Sequence, residues 1–343
     1  MKILSVGSFN GLSNTCVHRN WALKALGEVD MVNMYEKPIN FHFKLANKLF
    51  NWGFPVKLPD LSNCNLKILE LIKKNIYDIV WIDKGWLVQA STLDFIKKHS
   101  PETKIVSYSP DNMALRHNQS QQYLESLPLY DYIFTNKSYI LSDMKKLGAR
   151  NISFVNNSYE DSFHYPRILT AKEIESLGGD VGFVGAWEEE RYGSMLYLAE
   201  HGIKVRVFGG GEWLKHKAKH PNLKIEEIGL HGEDYSKSFR AFKISLCFLR
   251  KMNFDQQTTR SLEIPACGGF MLAERTEEHL SLFEEGKEAA YFSSNEELLE
   301  KCKYYLLHDD ERKSIAEAGR ERCEISGYSN KKAIKKMLDE VTG

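Results

Sequence analysis

Short apolar runs alternate with amphipathic stretches along the first half of the chain. Runs of strand length lie at 2–6, 78–82, 104–109, 131–135 and 151–155. Stretches with helical spacing of apolar residues lie near 13–26, 66–74, 92–98 and 138–147. Continuously apolar strands separated by helices are typical of a parallel sheet that is covered on both faces. The first half of the chain therefore predicts one Rossmann-like domain.

The alternation lapses between residues 156 and 179, where Pro166 and the pair Gly178 and Gly179 predict a linker. A second alternating series follows. Its predicted strands lie at 180–184, 204–208, 223–228, 243–249, 270–272 and 289–292, and its predicted helices at 188–201, 294–307, 309–323 and 329–341. We therefore predict an α/β protein with two Rossmann-like, doubly wound domains. The predicted boundaries are 1–165 and 166–328, with a final helix at 329–343.

Composition excludes several classes of protein. Lys plus Arg equals Asp plus Glu, at 46 each in 343 residues, so no overall charge favours nucleic acid. No apolar run reaches the roughly 20 residues of a membrane-spanning helix. Six cysteines without a Cys-x-x-Cys spacing argue against a disulfide framework or structural zinc. No signal-peptide pattern precedes the first strand. We expect a soluble, cytoplasmic protein that binds no nucleic acid.

The most specific polar pattern lies in residues 258–274. It predicts a short helix that hydroxyl residues can cap and a glycine pair can end. The residues concerned are Thr258, Thr259, Gly268 and Gly269. Arg260 and Glu263 are three residues apart, so they project from one helical face. An arginine and a glutamate on one face suit a site where a diphosphate and a ribose lie together, which is a first indication of nucleotide-sugar binding.

A longer pattern extends from this helix. It reads Thr259-Arg260-x-x-Glu263-Ile264-Pro265-Ala266-Cys267-Gly268-Gly269, then Glu274, Glu278-His279 and Leu282-Phe283-x-x-Gly286-x-Glu288, and it continues to Ala318-Gly319-x-x-Arg322. This pattern resembles the donor-binding half of the spore-maturation (CgeB-like) glycosyltransferases, which are related to the glycosyl transferases of group 1. The resemblance covers roughly the last half of the chain. It implies the GT-B architecture, in which two Rossmann-like domains face each other across a cleft.

The resemblance also implies an activity. A glycosyltransferase of this kind moves a sugar from a UDP- or GDP-linked nucleotide-diphosphate sugar to a glycan, lipid-linked or protein acceptor, as in cell-surface polysaccharide biosynthesis. The C-terminal domain would bind the donor and the N-terminal domain the acceptor. No Asp-x-Asp pair occurs, so we expect no metal and no cofactor. Two alternatives stay open: another nucleotide-sugar enzyme, such as an epimerase or a phosphorylase, and a non-catalytic spore- or surface-assembly protein.

Individual residues take roles from the same resemblance. Glu263 aligns with the family glutamate that accepts hydrogen bonds from the ribose hydroxyls. Arg191 resembles a basic residue that reaches the donor diphosphate, although an ion pair with Glu188 or Glu190 is the alternative. Asp255, eight positions before Glu263, resembles a second acidic residue that faces the donor sugar, with a catalytic role; a helix cap is the alternative. The other donor-binding candidates are Gly209, Gly210, Thr258, Thr259, Arg260, Gly268 and Gly269.

Asp111 is the catalytic candidate in the first domain. It follows a predicted strand, and ligands of open α/β sheets collect beyond the carboxyl ends of the strands. An acceptor-side role for Asp111 follows from that position. The alternative is a residue that stabilises a turn or caps a helix.

The final predicted helix has one apolar stripe and one basic face. The stripe consists of Ile334, Met337, Leu338 and Val341, and the basic face of Lys331, Lys332, Lys335 and Lys336. In the GT-B architecture the last helix crosses back to the first domain, which would bury the stripe. The alternative is peripheral contact of the basic face with the inner side of a membrane.

Overall fold

The computed structural model describes residues 1–343, which form two units. Unit 1 comprises Met1–Asn156 and Asn330–Gly343, and unit 2 comprises Asn157–Ser329. The boundary therefore lies after Asn156, whereas the sequence pattern places it after residue 165. None of the helices has both the length and the apolar composition that crossing a membrane requires.

Unit 1 contains a six-stranded sheet in the order β2-β1-β3-β4-β5-β6, and all of its strand pairs are parallel. The strands are β1 (Lys2–Gly7), β2 (Glu28–Asn33), β3 (Ile79–Asp83), β4 (Lys104–Ser109), β5 (Tyr132–Thr135) and β6 (Ile152–Phe154). The helices are α1 (Thr15–Leu26), α2 (Phe41–Asn51), α3 (Cys64–Lys74), α4 (Ala90–His99), α5 (Gln121–Ser126) and α6 (Leu141–Lys146).

Unit 2 also contains a six-stranded, fully parallel sheet, but its strand order is β12-β11-β10-β7-β8-β9. Its strands are β7 (Gly179–Val184), β8 (Val205–Phe208), β9 (Leu223–Glu226), β10 (Phe242–Cys247), β11 (Met271–Glu274) and β12 (Ala290–Phe292). Its helices are α7 (Ala171–Leu177), α8 (Glu189–Glu200), α9 (Gly232–Ala241), α10 (Arg260–Ala266), α11 (Glu277–Leu282), α12 (Asn295–Leu307) and α13 (Asp309–Ile325). The predicted fold class, two Rossmann-like domains, is confirmed.

The final helix, α14 (Asn330–Thr342), belongs to unit 1 although it follows unit 2 in the chain. Its apolar stripe is buried and packs in one cluster with Ile3, Leu23 and Ile79. The predicted return of this helix to the first domain, where it contacts α1, is confirmed. The stripe is therefore part of a core and not a membrane-facing surface.

Residues 156–179 form more structure than a linker. Helix α7 lies in this segment and begins with a capping box, in which Thr170 Oγ1 accepts from the N–H of Glu173 and the Glu173 carboxylate accepts from the N–H of Thr170. Gly179, one of the two predicted linker glycines, is already the first residue of β7. The prediction of a linker over the whole segment is wrong.

The strand order of unit 2 locates its crevice. From β7 the chain moves outward through β8 and β9, returns to β10 beside β7, and then moves outward on the other side through β11 and β12. In doubly wound sheets the two loops at such a reversal diverge to opposite faces, and ligands bind in the crevice between them. The carboxyl ends of β7 and β10 are therefore the expected position of a site.

Candidate functional site

Two arginines lie at the carboxyl ends of β7 and β10. Arg191 is in the first turn of α8, which follows β7, and Arg260 is the first residue of α10, which follows β10. Their Cζ atoms lie 5.7 and 5.5 Å from the centroid of the Phe183 ring in β7. Two of the residues predicted from separate motifs, about 70 positions apart in the chain, thus meet at the crevice.

Arg191 joins the two loops of the crevice. Its side chain is buried, with Nη1 donating to the carbonyl oxygen of Ala186 and Nη2 to that of Leu249, each at 3.1 Å. Nη2 also lies 3.4 Å from a carboxylate oxygen of Glu188, which is 3.3 Å from Nε of Arg250 as well. The ion pair with Glu188 that was the alternative interpretation therefore exists, between a buried arginine and a half-buried glutamate. Nε of Arg191 has no hydrogen-bond partner.

Arg260 is the more available of the two cations. Its Nε has no hydrogen-bond partner, and a Cβ added to Gly185 would lie only 3.1 Å from its Nη1, so the guanidinium lies against the loop after β7. Burial and the neighbouring Arg260 guanidinium lower the pKa of Arg191 to about 10. The proximity of two cations disfavours the charged form, and a bound anion would relieve that repulsion.

Glu263 lies behind Arg260 and is almost fully buried. Its Oε2 accepts a 2.6 Å hydrogen bond from the hydroxyl of Tyr235, and its Oε1 is 3.9 Å from Nε2 of His164. Burial and the Glu263 charge raise the pKa of Tyr235, so the phenol stays a donor, and Arg260 interacts electrostatically with both residues. The contact between Tyr235 and Glu263 was not predicted, because nothing in the local sequence links positions 28 residues apart.

A buried chain of hydrogen bonds fixes the start of α10. His279 is fully buried and its Nδ1 donates to the carbonyl oxygen of Glu274 at 2.6 Å, so Nε2 accepts from the Ser261 hydroxyl, also at 2.6 Å. Ser261 Oγ in turn accepts from the backbone N–H of Thr258 at 3.0 Å. Burial lowers the pKa of His279 to about 4, which keeps the ring neutral and able to accept. These four residues hold the backbone that carries Arg260.

The predicted hydroxyl cap of α10 is replaced by this arrangement. Thr259 is the N-cap residue, but its backbone is helical and its side chain makes no capping hydrogen bond. Ser261 supplies the hydroxyl instead. Asp255 lies in the preceding loop, where its N–H donates to the carbonyl oxygen of Arg250 at 3.2 Å. The donor-binding roles of Thr258 and Thr259 and the catalytic role of Asp255 stay predictions.

Gly209 and Gly210 lie at the same edge of the sheet, directly after β8. A Cβ on Gly209 would lie 2.1 Å from Cδ1 of Trp213, so only glycine fits there. The Trp213 indole N–H donates to the carbonyl oxygen of Gly185 at 2.9 Å and ties the loops after β7 and β8 together. Gly210 has φ of +61°, a conformation that favours glycine. The predicted approach of the Gly209 and Gly210 backbone to a ligand stays a prediction.

Gly268 and Gly269 lie at the opposite edge. Helix α10 runs antiparallel to the strands, and its seven residues span about 10 Å, so its first residue and the glycines after its last residue are at opposite edges of the sheet. A Cβ on Gly269 would lie 2.5 Å from the carbonyl oxygen of Phe239, and one on Gly268 would lie 2.6 Å from Arg240 Nη1. Contrary to expectation, the structure does not bring this pair together with Arg260. Close packing explains the glycines.

Asp111 lies at the carboxyl edge of the sheet of unit 1, as predicted. Its carboxylate is 2.5 Å from Nζ of Lys84, and its N–H donates to Oγ of Ser109 at 3.3 Å. The side chain that accepts from the backbone N–H of Ala114 is that of Asn112, at 3.1 Å. Nearby, Arg19 and Asp83 form a buried, two-pronged ion pair with distances of 2.7 and 2.8 Å. The catalytic role of Asp111 stays a prediction.

Comparisons with known proteins agree with this architecture. Residues 193–339, which include Arg260 and Glu263, match a family model described as "Glycosyl transferase-like". This part of the chain is glycosyltransferase-like. The predicted enzyme class is confirmed at that level, while the narrower CgeB-like assignment stays a prediction. No curated protein matches the chain in sequence.

Several solved structures share the glycosyltransferase-like fold over nearly the whole chain. Anabaena HepE in complex with UDP-glucose is 13% identical, with a TM-score of 0.64, and the similarity covers 99% of this chain and 100% of HepE. Sucrose-phosphate synthase from Thermosynechococcus elongatus is 11% identical, with a TM-score of 0.62 and 98% of each chain covered. A glycosyltransferase from Rickettsia africae is 14% identical, with a TM-score of 0.61 and coverages of 99% and 97%. At such identities the comparison establishes the fold.

Proposed function

We propose that this protein binds a nucleotide-diphosphate sugar at the carboxyl edge of the unit 2 sheet and transfers the sugar to an acceptor. The observation that carries the proposal is the pair of guanidinium groups of Arg191 and Arg260 beside Phe183, at the reversal of strand order. Each has an Nε without a hydrogen-bond partner. A cationic pair at a crevice is suited to an anionic ligand.

The local charge balance supports a ligand with more than one negative charge. One carboxylate, Glu188, lies near both Arg191 and Arg250, and Glu263 is the acidic neighbour of Arg260. The charge of Glu188 is thus shared between two guanidinium groups and balances them only in part. A diphosphate would supply the missing negative charge, and arginine matches its oxygens in geometry as well as charge.

The roles within the site follow from how firmly each side chain is already bound. Arg191 donates from both Nη atoms to backbone carbonyls, so we assign it mainly to holding the crevice together. Arg260 is assigned to the diphosphate. Glu263 keeps acceptor capacity beyond its bond to Tyr235, since a carboxylate has about four lone-pair sites, and it is assigned to the ribose hydroxyls.

We assign a UDP-linked donor, with a GDP-linked donor as the alternative. Support comes from HepE, which shares the fold and was crystallised with UDP and with UDP-glucose. In the proposed reaction the bond between the sugar and the diphosphate breaks, and a bond forms between the sugar and an acceptor hydroxyl. The charge that develops on the leaving diphosphate is met by fixed guanidinium groups, so that no metal is required. Asp255 is assigned to the donor-sugar side of this reaction.

The acceptor is assigned to unit 1 and is a glycan, a lipid-linked molecule or a protein. Support comes from the polar groups at the carboxyl edge of its sheet, where Asp111 and Lys84 lie in contact and the ring centroid of Trp86 is 4.5 Å from the lysine Nζ. Aromatic and charged side chains at a strand edge suit hydroxyl-rich ligands. Asp111 is assigned to the reacting hydroxyl.

Calorimetric titration with UDP and with UDP-glucose tests the donor site. We expect Arg260→Met to weaken UDP binding by about tenfold to hundredfold, since hydrogen bonds to charged groups contribute about 1.5–3 kcal/mol. The matched control is Arg240→Met, which removes an exposed arginine beside Gly268 at the opposite edge of unit 2. To test Glu263 in the same titration, Glu263→Gln is preferred to Glu263→Ala, because alanine would leave the buried Tyr235 hydroxyl without its hydrogen-bond acceptor.

The outcomes separate the alternatives. Loss of affinity in Arg240→Met but not in Arg260→Met would place the diphosphate at the Gly268 edge and refute the assignment. Conversion of UDP-glucose without any acceptor, or dependence on inorganic phosphate, would identify an epimerase or a phosphorylase in place of a transferase. Absence of binding by the parent protein to UDP, UDP-glucose and GDP would favour a non-catalytic function.

A further inference from the structure

Helix α2 and the turn after it expose an unusual number of large apolar side chains. Phe41 is 72% exposed, Trp52 65% and Phe54 55%, with Ile39 and Leu45 also exposed. We call these five residues the α2 surface. The N–H of Phe54 donates to the carbonyl oxygen of Leu49 at 3.2 Å, which holds Phe54 against the end of the helix. The five exposed apolar side chains thus lie within residues 39–54, on α2 or directly beside it.

The exposure is not a by-product of core packing, because α2 has a second apolar face for that purpose. Phe43, Ala46 and Phe50 are buried and point into unit 1. Phe41, Leu45 and Trp52, spaced by four and seven residues, lie on the other side of the helix. A helix that is apolar on both sides is suited to a second apolar environment in addition to the protein core.

The charged side chains of the segment that carries the α2 surface, residues 37–59, are all positive. Residues 37–59 contain four lysines and no aspartate or glutamate, although the chain as a whole is neutral. Lys57 pairs with Glu125 at 2.7 Å. Lys44 and Lys48, in contrast, have no carboxylate partner, and Nζ of Lys48 lies 4.7 Å from the ring centroid of Trp52. Unpaired lysines next to exposed aromatic rings are complementary to an interface that is apolar inside and anionic at its surface.

We propose that the α2 surface docks unit 1 onto an anionic lipid bilayer, with Phe41, Trp52 and Phe54 in the interface and Lys44 and Lys48 near the lipid headgroups. Each part of the proposal has a separate physical source. Aromatic rings partition into the bilayer interface, and lysines close to it gain from the negative surface potential. The proposal is independent of the donor site, since every residue involved lies in unit 1.

The α2 surface is a different membrane-contacting surface from the basic face of α14, which the sequence offered as an alternative. In α14 the apolar stripe is buried in unit 1, so the helix has lysines but no free apolar residues to insert. The α2 surface has both. Electrostatic attraction without insertion gives only weak, salt-sensitive binding.

Sedimentation of the full chain with phosphatidylcholine vesicles, with and without phosphatidylglycerol, tests the proposal. We expect binding only to the vesicles that contain phosphatidylglycerol. Two double variants, F41S/W52S and K44E/K48E, should each reduce the bound fraction, measured as a partition coefficient, by about tenfold or more. Because all four side chains are exposed, the variants should keep the circular dichroism spectrum and urea midpoint of the parent.

Matched controls remove the same kinds of side chain elsewhere. I76S/I168S replaces two fully or largely exposed isoleucines, and K331E/K336E reverses two exposed lysines of α14; neither should change the partition coefficient. Failure of the parent to bind the anionic vesicles would overturn the proposal, as would equal losses in K331E/K336E and K44E/K48E. A parent dimer that F41S/W52S converts to a monomer would also overturn it, because the α2 surface would then be an interface between copies.

Discussion

Replacing His279 by glutamine should remove a pH-dependent part of the stability of the protein. In the folded state the ring is buried, and Nε2 must stay unprotonated to accept from Ser261. Its pKa falls from the usual 6.5 to about 4. Between these two values the unfolded chain binds a proton that the folded chain does not. The contribution of His279 is therefore complete above about pH 6.5 and is lost as the pH falls towards 4.

The size of the effect follows from the two pKa values. A tenfold difference between the acid dissociation constants of the folded and unfolded states corresponds to about 1.4 kcal/mol, so the full loss is about 3 kcal/mol. Most of that loss occurs above pH 4.5, and about 2 kcal/mol of it falls between pH 7 and pH 5. Burial of the ring makes screening by solvent a minor correction.

Urea unfolding of the parent and of His279→Gln at pH 7 and pH 5 measures this contribution. The glutamine amide can donate and accept in place of the ring but does not titrate, so the difference of the two pH dependences isolates His279. The pH-dependent contributions of all other titratable groups, including those of unit 1, are common to both proteins and cancel in this difference. We expect the parent to lose about 2 kcal/mol more than His279→Gln on going from pH 7 to pH 5. Parallel losses in the two proteins would refute the neutral, hydrogen-bonded state of His279.

Two further substitutions test the packing. Gly185→Ala places a Cβ 2.9 Å from the Phe183 ring and 3.1 Å from Arg260 Nη1. Calorimetry should therefore show UDP affinity reduced about tenfold in this variant. Gly193→Ala, whose Cβ would have no neighbour within 4 Å outside its own helix, should bind UDP like the parent. Equal affinities in both would contradict the position of Arg260. Leu338→Ala should lower the free energy of unfolding in urea by about 2–5 kcal/mol, and exposed Lys336→Ala by less than about 0.5 kcal/mol. A Leu338→Ala loss as small as the control would contradict burial of α14.

The strands that the sequence predicts most clearly are those with continuous apolar runs. All five residues of β3 are buried, so its apolar run is continuous and easily recognised. Strand β2 is not predicted, because Val32 is its one fully buried residue and Glu28 and Asp30 interrupt the apolar pattern. Helix α2 was missed for the opposite reason. Apolar residues on two of its sides remove the single stripe by which a helix is recognised.

The candidate site was predictable where its chemistry is local. Arg260 and Glu263 are neighbours on one helical turn, so their spacing alone brings them together. Arg260 also lies against the loop at Gly185, because β10 and β7 are neighbours in the sheet. Such a contact can be predicted only when the order of the strands is known. The separation of Gly268 from Arg260 could not be predicted for a related reason. Closeness in the chain suggested one site, but the direction of α10 separates its two ends by about 10 Å.

The position of α14 has a consequence for biosynthesis. Unit 1 lacks this helix until the whole of unit 2, roughly 170 residues, has been translated. At about 5–20 residues per second, the apolar groups of Ile3, Leu23 and Ile79 remain without their final partner for about 10–30 s. Unit 2 is continuous in the chain, whereas unit 1 can complete its core only once residues 330–342 are available. Residues 1–156 must therefore wait for α14, and during that interval the apolar residues that α14 covers lack their final packing partner.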